Sequence, residues 1–137
     1  MHLFGNVMAT FMFMSRLEHT LGAVKILVVY LVSGIVANIF SDSVNADSLK
    51  VGASTSLYGV IGCIIGYVII NWSGIELLGP VLRCKILCST VFIFVFILIF
   101  TPGSAQDSSI DFMGHLGGFL AGLFLASIHN TIIDSTR

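Results

Sequence analysis

Two residues with complementary chemistry, Ser54 and His115, each stand near the start of an apolar, glycine-containing segment. Ser54 lies where a polar loop gives way to an apolar stretch, within the run Gly52-Ala53-Ser54-Thr55. His115 lies near the start of the last apolar stretch, within the run Gly114-His115-Leu116-Gly117-Gly118. A hydroxyl within hydrogen-bond reach of an imidazole is the arrangement of a nucleophile and its base. These two residues therefore point first to nucleophilic catalysis.

The composition predicts that this chemistry takes place in a membrane. Hydrophobic residues make up 56% of the 137 residues and charged residues only 9%, against roughly 25% charged residues in ordinary globular domains. A soluble domain would need more polar residues to cover its surface. The expected environment is a lipid bilayer and the predicted protein is a multi-pass membrane protein. The net charge of −1, without a basic run, argues against nucleic acid as a partner.

Five apolar stretches are each close to the ~20 residues that a helix needs to cross a bilayer. Backbone polar groups must be satisfied within lipid, so these stretches should be helices, and they lack the alternating pattern of barrel strands. The sequence predicts an all-α, polytopic transmembrane bundle with about five spans, in one domain over residues 1–137. The stretches are about 1–15, 23–40, 53–72, 86–101 and 111–129, and a polar loop at 41–50 follows the second.

The basic residues predict how these helices are oriented. If the spans alternate in direction, all the basic residues except Lys50 fall on one side, which the positive-inside rule assigns to the cytoplasm. Ser54, His115, His2 and Asn6 then all lie in the outer part of the membrane. The basic residues on the cytoplasmic side are Arg16, Lys25, Arg83, Lys85 and Arg137.

The helix faces that carry Ser54 and His115 continue through glycines. Residues three or four apart share a helix face, and small residues at this spacing let two membrane helices approach closely. A short serine side chain needs that approach to reach an imidazole at about 2.6–3.2 Å. In the alternative interpretation the glycines only pack helices and Ser54 bonds a backbone carbonyl. The two faces consist of Ser54, Tyr58, Gly62 and Gly66, and of His115, Gly118 and Gly122.

The same end of the bundle offers donors for a developing negative charge. Ser54 lies at a predicted helix N-terminus, whose N–H groups favour an anion. His2 and Asn6 are four residues apart, so they share a face of the first helix, and both side chains can donate hydrogen bonds. In the alternative interpretation, Asn6 simply bridges helices.

The three cysteines do not suggest a disulfide framework, because their number is odd and they lie in predicted helices. Cys63 is expected to be a small apolar filler. Cys84 and Cys88 share a helix face near a basic end, where a metal pair or a lipidated site is the alternative to an ordinary surface position.

The chain resembles the rhomboid family of intramembrane serine proteases, because it contains the family's motifs in the same order over nearly its whole length. The run His2-Leu3-Phe4-Gly5-Asn6 resembles the family's His-x-x-x-Asn at the start of its second transmembrane helix. Glu18 followed by Gly22 resembles the Glu-x-x-x-Gly turn after that helix.

Two later motifs contain Ser54 and His115. The run Gly52-Ala53-Ser54-Thr55 resembles the family's Gly-x-Ser motif around the nucleophile, and Tyr58 matches the tyrosine that supports the histidine. The run His115-Leu116-Gly117-Gly118, with Gly122, resembles the final His-x-x-Gly-x-x-x-Gly helix.

The resemblance implies a Ser-His dyad without an aspartate. Ser54 would attack the scissile carbonyl and His115 would act as general base and then acid. His2, Asn6 and the Ser54 N–H would form the oxyanion hole, and Tyr58 would stack on the imidazole. The implied substrate is a single-pass transmembrane protein, cut near the outer face of the bilayer. No metal or cofactor is implied.

Two departures from the family pattern stand out. Thr55 occupies a position where most members have glycine, and a β-branched residue is stiffer there. The family core has six helices and the sequence contains five stretches, so the resemblance implies an N-terminally truncated domain without the first core helix. Such a five-helix form is expected to show weak activity or none.

Two other functions compete with proteolysis. A catalytically inactive rhomboid-like protein that binds transmembrane helices is the main alternative, although such relatives lack the serine or the histidine. A small transporter or channel would place polar or charged residues near the middle of the membrane, and the centres of these stretches have none.

Overall fold

A computed structural model of the chain describes residues 2–44, 53–79, 81–100 and 111–129. These residues form helices, without a strand among them, which confirms the predicted all-α class. The helices are α1 (His2–Leu21), α2 (Ala23–Val44), α3 (Ser54–Ile70), α4 (Trp72–Leu78), α5 (Leu82–Phe100) and α6 (Phe112–His129).

The first helix is longer than its apolar stretch. It continues past Arg16 and Glu18 to Leu21, because charged residues do not by themselves end a helix. Gly22 ends it by adopting a left-handed backbone with a φ of +84°, and its N–H donates to the carbonyl of Glu18 at 2.9 Å. This is the usual way in which a glycine closes a helix C-terminus, and α2 starts at the next residue.

The second helix extends into the predicted polar loop. It ends at Val44 rather than near residue 40, because its polar side chains are satisfied within the fold. Ser41 bonds Asp111, and the Ser43 hydroxyl donates to the carbonyl of Ile39 at 2.6 Å, a bond that lets serine remain helical. The rest of that loop, residues 45–50, lies outside the described residues.

The short helix α4 was not predicted. Buried Asn71 ends α3, and its side-chain amide donates to the Tyr67 carbonyl at 3.1 Å. The backbone carbonyl of Asn71 accepts the Ile75 N–H at 2.8 Å, and this bond starts α4. The guanidinium of Arg83 on α5 lies over the Trp72 ring, 4.2 Å from its centroid. This contact joins the start of α4 to the start of α5.

Helix α3 forms the centre of the bundle and contacts all five other helices. Its buried residues pack with Phe13 of α1 and Ile26 of α2 in one apolar core. The buried members of α3 in that core are Leu57, Val60, Ile61, Cys63 and Ile64.

The outer face of α2 is apolar, as expected for a helix in contact with lipid. Among the described residues, Ala23–Val44 is the helix long and apolar enough to cross a membrane by itself. Helix α3 and Phe112–Ile128 are apolar but shorter. The five most exposed apolar side chains of α2 recur every three or four residues, at Val24, Leu27, Leu31, Ile35 and Ile39.

Candidate active site

Ser54 is the first residue of α3. Ala53 precedes it at the N-cap position, and its carbonyl accepts the Leu57 N–H at 3.1 Å. The Ser54 side chain is half-buried. At this end of a helix the first N–H groups lack intrahelical partners, so Ser54 lies where the helix dipole favours negative charge.

His115 lies in the first turn of α6 and is also half-buried. Its backbone N–H donates to the carbonyl of Asp111 at 2.9 Å, which starts the helix. The Asp111 carboxylate accepts the N–H of Gly114 at 2.9 Å through Oδ1. This bond is an N-cap of the type that serine, threonine, asparagine and aspartate provide.

The structure brings Ser54 and His115 together. The Ser54 Oγ lies 3.0 Å from the His115 Nε2, which is hydrogen-bond distance between a nucleophile and its base. When the imidazole carries its proton on Nδ1, Nε2 accepts the hydrogen of the serine hydroxyl. The pair then has the arrangement needed for general-base activation of Ser54.

Tyr58 forms the wall behind the imidazole. It lies four residues after Ser54, so both side chains share a face of α3. Its ring stacks on the His115 ring with the centroids 4.1 Å apart and the planes inclined by 6°. Stacking of this kind limits rotation of the imidazole and holds Nε2 towards the serine.

Glycines allow α3 and α6 to pack backbone against backbone below the pair. A Cβ at Gly118 would collide with the carbonyl oxygen of Thr55, and one at Gly122 would collide with the backbone of Gly59. On the opposite helix, a Cβ at Gly62 would collide with the carbonyl oxygen of Phe119. Close backbone approach is thus required along this interface, and it sets the separation between the two reactive side chains.

Asn6 lies in the first part of α1. It is buried, with 5% of its surface exposed, and it lines an open groove of about 400 Å³ that also reaches Ala53, the residue before Ser54. The side chain of His2 and the whole of Gly52 lie outside what the structure describes, so the predicted oxyanion set is located only at Asn6 and at the N-terminus of α3.

Two polar residues near the site were not predicted. Asp111 caps α6, and Ser41 bonds it from the end of α2 at 2.5 Å. An aspartate just before an apolar run is a sequence signal for a helix N-cap, and this signal could have identified Asp111. Ser41 gave no such signal, because it begins a run that reads as a polar loop.

The cysteines and the acidic groups do not assemble a metal site in the described part of the chain, where no three His, Cys, Asp or Glu side chains cluster. Cys63 is buried, whereas Cys84 and Cys88 are exposed on α5. That no metal or cofactor is needed stays a prediction.

Comparison with known proteins finds similarity to one family. The Rhomboid domain family model matches residues 1–130. "Rhomboid-like protease 3" of Toxoplasma gondii is 35% identical over 135 residues, which is 98% of this chain and 48% of that protein. "Rhomboid-like protease 1" of the same organism is 32% identical over 130 residues, which is 94% of this chain and 42% of that protein.

A plant relative extends this similarity. "RHOMBOID-like protein 7" of Arabidopsis thaliana is 30% identical over 131 residues, which is 93% of this chain and 39% of that protein. The chain therefore spans about half or less of the length of these relatives. No solved structure matches the chain at a significant level.

Proposed function

This chain belongs to the rhomboid family of membrane proteins, and on that premise we propose that it is an intramembrane serine endopeptidase working through Ser54 and His115. The observation that carries the proposal is the distance of 3.0 Å between the Ser54 Oγ and the His115 Nε2. The stacked Tyr58 ring adds to it. In a helix-binding relative without catalysis, nothing would require this contact to be held at hydrogen-bond length.

In the proposed reaction His115 removes the proton of the Ser54 hydroxyl as the oxygen attacks the scissile carbonyl. The same imidazole then protonates the leaving amine, and the acyl-enzyme is hydrolysed by water, which His115 activates in turn. Ser54 is regenerated as the acid product leaves. No aspartate is assigned as a hydrogen-bond partner of the imidazole in this scheme, and the stacked Tyr58 ring limits the rotation of the imidazole instead.

The oxyanion of the tetrahedral intermediate needs preorganised donors. The N-terminus of α3 offers backbone N–H groups at Ser54 itself. Buried Asn6, on the groove that reaches Ala53, is the proposed side-chain donor, and His2 is assigned beside it because it lies one helical turn earlier on α1. Together these groups would donate hydrogen bonds to the negatively charged oxygen of the intermediate.

The proposed substrate is a single-pass transmembrane protein. An intact helix hides its carbonyls in hydrogen bonds, so a cleavable segment must contain residues that let the helix unwind locally. The proposed topology is multi-pass, with Ser54 and His115 in the outer part of the bilayer.

The proposal is tested with the protein extended at its N-terminus by a first core helix of the rhomboid family, in liposomes that also contain a fluorescent single-span reporter peptide with a glycine-containing helix. Wild-type protein should cleave the reporter and should react covalently with a fluorophosphonate at Ser54, identified by peptide mass spectrometry. Ser54→Ala should do neither. Equal cleavage by the wild type and by Ser54→Ala would overturn the protease assignment and leave the helix-binding function.

A further inference from the structure

A buried polar contact joins the ends of two helices beside the proposed dyad. The Ser41 hydroxyl, near the end of α2, donates to the Asp111 Oδ1 at 2.5 Å. Only 1% of the surface of Ser41 is exposed and only 9% of that of Asp111. A carboxylate is costly to bury unless hydrogen bonds compensate it, so the groups that bond the Asp111 carboxylate must be held close to it.

The same carboxylate fixes the start of the helix that carries His115. Its Oδ1 also accepts the Gly114 N–H at 2.9 Å, and the Asp111 carbonyl accepts the His115 N–H at 2.9 Å. Asp111 therefore holds the backbone of the turn on which the imidazole is mounted. The bond from Ser41 attaches this first turn of α6 to α2.

Helix α3 approaches this contact beside Gly114. A Cβ at Gly114 would collide with the Asp111 carboxylate and would lie 3.0 Å from the Thr55 Cγ2. Thr55 is buried and directly follows Ser54. Gly114, whose N–H the Asp111 carboxylate accepts, thus lies between that carboxylate and Thr55 at the start of α3.

We infer that Asp111, held by Ser41, is a positioning residue that sets the height and rotation of α6 so that the His115 Nε2 meets the Ser54 Oγ. This inference rests on the proposed function of the two residues. It assigns no contact between Asp111 and substrate, since Asp111 acts through the backbone of α6. Displacements of about 1 Å are enough to impair catalysis, and active-site groups must be held within about 0.5 Å.

The test measures the dyad contact without requiring proteolysis. In a Ser54→Cys variant the thiol takes the place of the hydroxyl, and an adjacent histidine raises its thiolate fraction and hence its rate of alkylation. Iodoacetamide labelling at pH 6.5, followed for each cysteine by peptide mass spectrometry, gives that rate. We expect it to exceed the rate in Ser54→Cys/His115→Ala by at least about tenfold, because an unpaired thiol with a pKa near 8.5 is mostly protonated there.

Within the Ser54→Cys background, Asp111→Ala should remove most of that enhancement. Asp111→Asn should restore a large part of it, because an amide oxygen can accept the bonds of Ser41 and Gly114. Ser41→Ala should give an intermediate loss. Asp42→Ala and Ser43→Ala are the matched controls, since both side chains are exposed on the same end of α2, and they should leave the rate unchanged.

Buried Cys63 provides the control for folding in the same samples. Lost enhancement with Cys63 still unlabelled supports positioning. Lost enhancement together with labelling of Cys63 would overturn it, since the contact would then serve stability. An unchanged rate in Asp111→Ala, with the His115 enhancement intact, would overturn the inference and leave the dyad standing. Absence of the His115 enhancement in Ser54→Cys itself would overturn both.

Discussion

The Ser54 Oγ and the His115 Nε2 lie 3.0 Å apart although the two residues are 61 positions apart in the chain. Ser54 is the first residue of α3 and His115 lies in the first turn of α6, so the contact joins the N-terminal ends of two helices that run side by side. Glycines along both helices let the two backbones approach closely enough for the Ser54 and His115 side chains to meet. The geometry of the pair is thus a property of the helix interface as a whole.

Removing either member of the pair should cost as much as removing both. Residues that act as one unit show strongly non-additive losses, so Ser54→Ala, His115→Ala and the double variant should share one residual rate of reporter cleavage. Initial rates in liposomes measure this. Losses that multiply in the double variant would contradict a dyad and indicate independent roles.

The aromatic ring at position 58 should matter more than its hydroxyl. Tyr58→Phe keeps the stack on His115 and should cleave the reporter within about threefold of the wild-type rate. Tyr58→Ala removes a stacked pair worth about 0.5–1.5 kcal/mol, and kcat should fall about two- to tenfold at a similar KM. Steady-state kinetics separates the two parameters. A loss in Tyr58→Phe equal to that in Tyr58→Ala would assign the role to the hydroxyl instead.

A methyl group at Gly122 should drive the two helices of the site apart. Its Cβ would meet the backbone of Gly59, which cannot rotate away as a side chain would. Overpacking of this kind costs about 1–3 kcal/mol, so Gly122→Ala should lower the thermal midpoint in detergent and slow fluorophosphonate labelling of Ser54.

The matched control for that change is Gly79→Ala, whose added Cβ would meet only the Leu82 Cβ at an ordinary 3.7 Å. It should leave the thermal midpoint and the labelling rate as they are. If Gly122→Ala labels as fast as Gly79→Ala, close packing of α3 on α6 is not what holds Ser54 and His115 in contact.

The main helices could be predicted from the sequence because hydrophobic runs near the length of a span leave few alternatives. The ends of the helices were harder. Arg16 and Glu18 suggested an early end for α1, yet the helix continues until Gly22 adopts the left-handed backbone that closes it. Charge marks where a segment prefers to meet water, whereas backbone conformation decides where a helix stops.

The polar contact between Ser41 and Asp111 shows why part of the site escaped prediction. The two residues are 70 positions apart, so neither segment by itself reveals the pairing. Asp111 could have been identified as a helix cap, but the pairing depends on how α2 ends against α6. Tertiary packing alone determines that, and it turned Ser41 from a predicted loop residue into a buried helical one.

The predicted topology has a direct test that uses an endogenous thiol. Cys84 is exposed at the start of α5, beside Arg83 and Lys85 on the predicted cytoplasmic side, and Ser43 is exposed near the end of α2. In sealed vesicles with the cytoplasmic face outward, a membrane-impermeant maleimide should label Cys84 at once. It should label Ser43→Cys only after detergent is added. Immediate labelling of Ser43→Cys would contradict the predicted orientation and the shared depth of the proposed site.

Loss of the Asn6 side chain should separate oxyanion stabilisation from activation of the nucleophile. Removing one oxyanion donor typically lowers kcat about 10²–10³-fold, so Asn6→Ala should slow reporter cleavage by that factor. Fluorophosphonate labelling of Ser54 should persist, because the probe depends first on an activated serine. His115→Ala should abolish both. Asn38→Ala, at an exposed asparagine of α2, is the matched control and should retain wild-type rates. Wild-type cleavage by Asn6→Ala would make Asn6 a helix-packing residue, whereas loss of labelling in that variant would place it in the activation of Ser54.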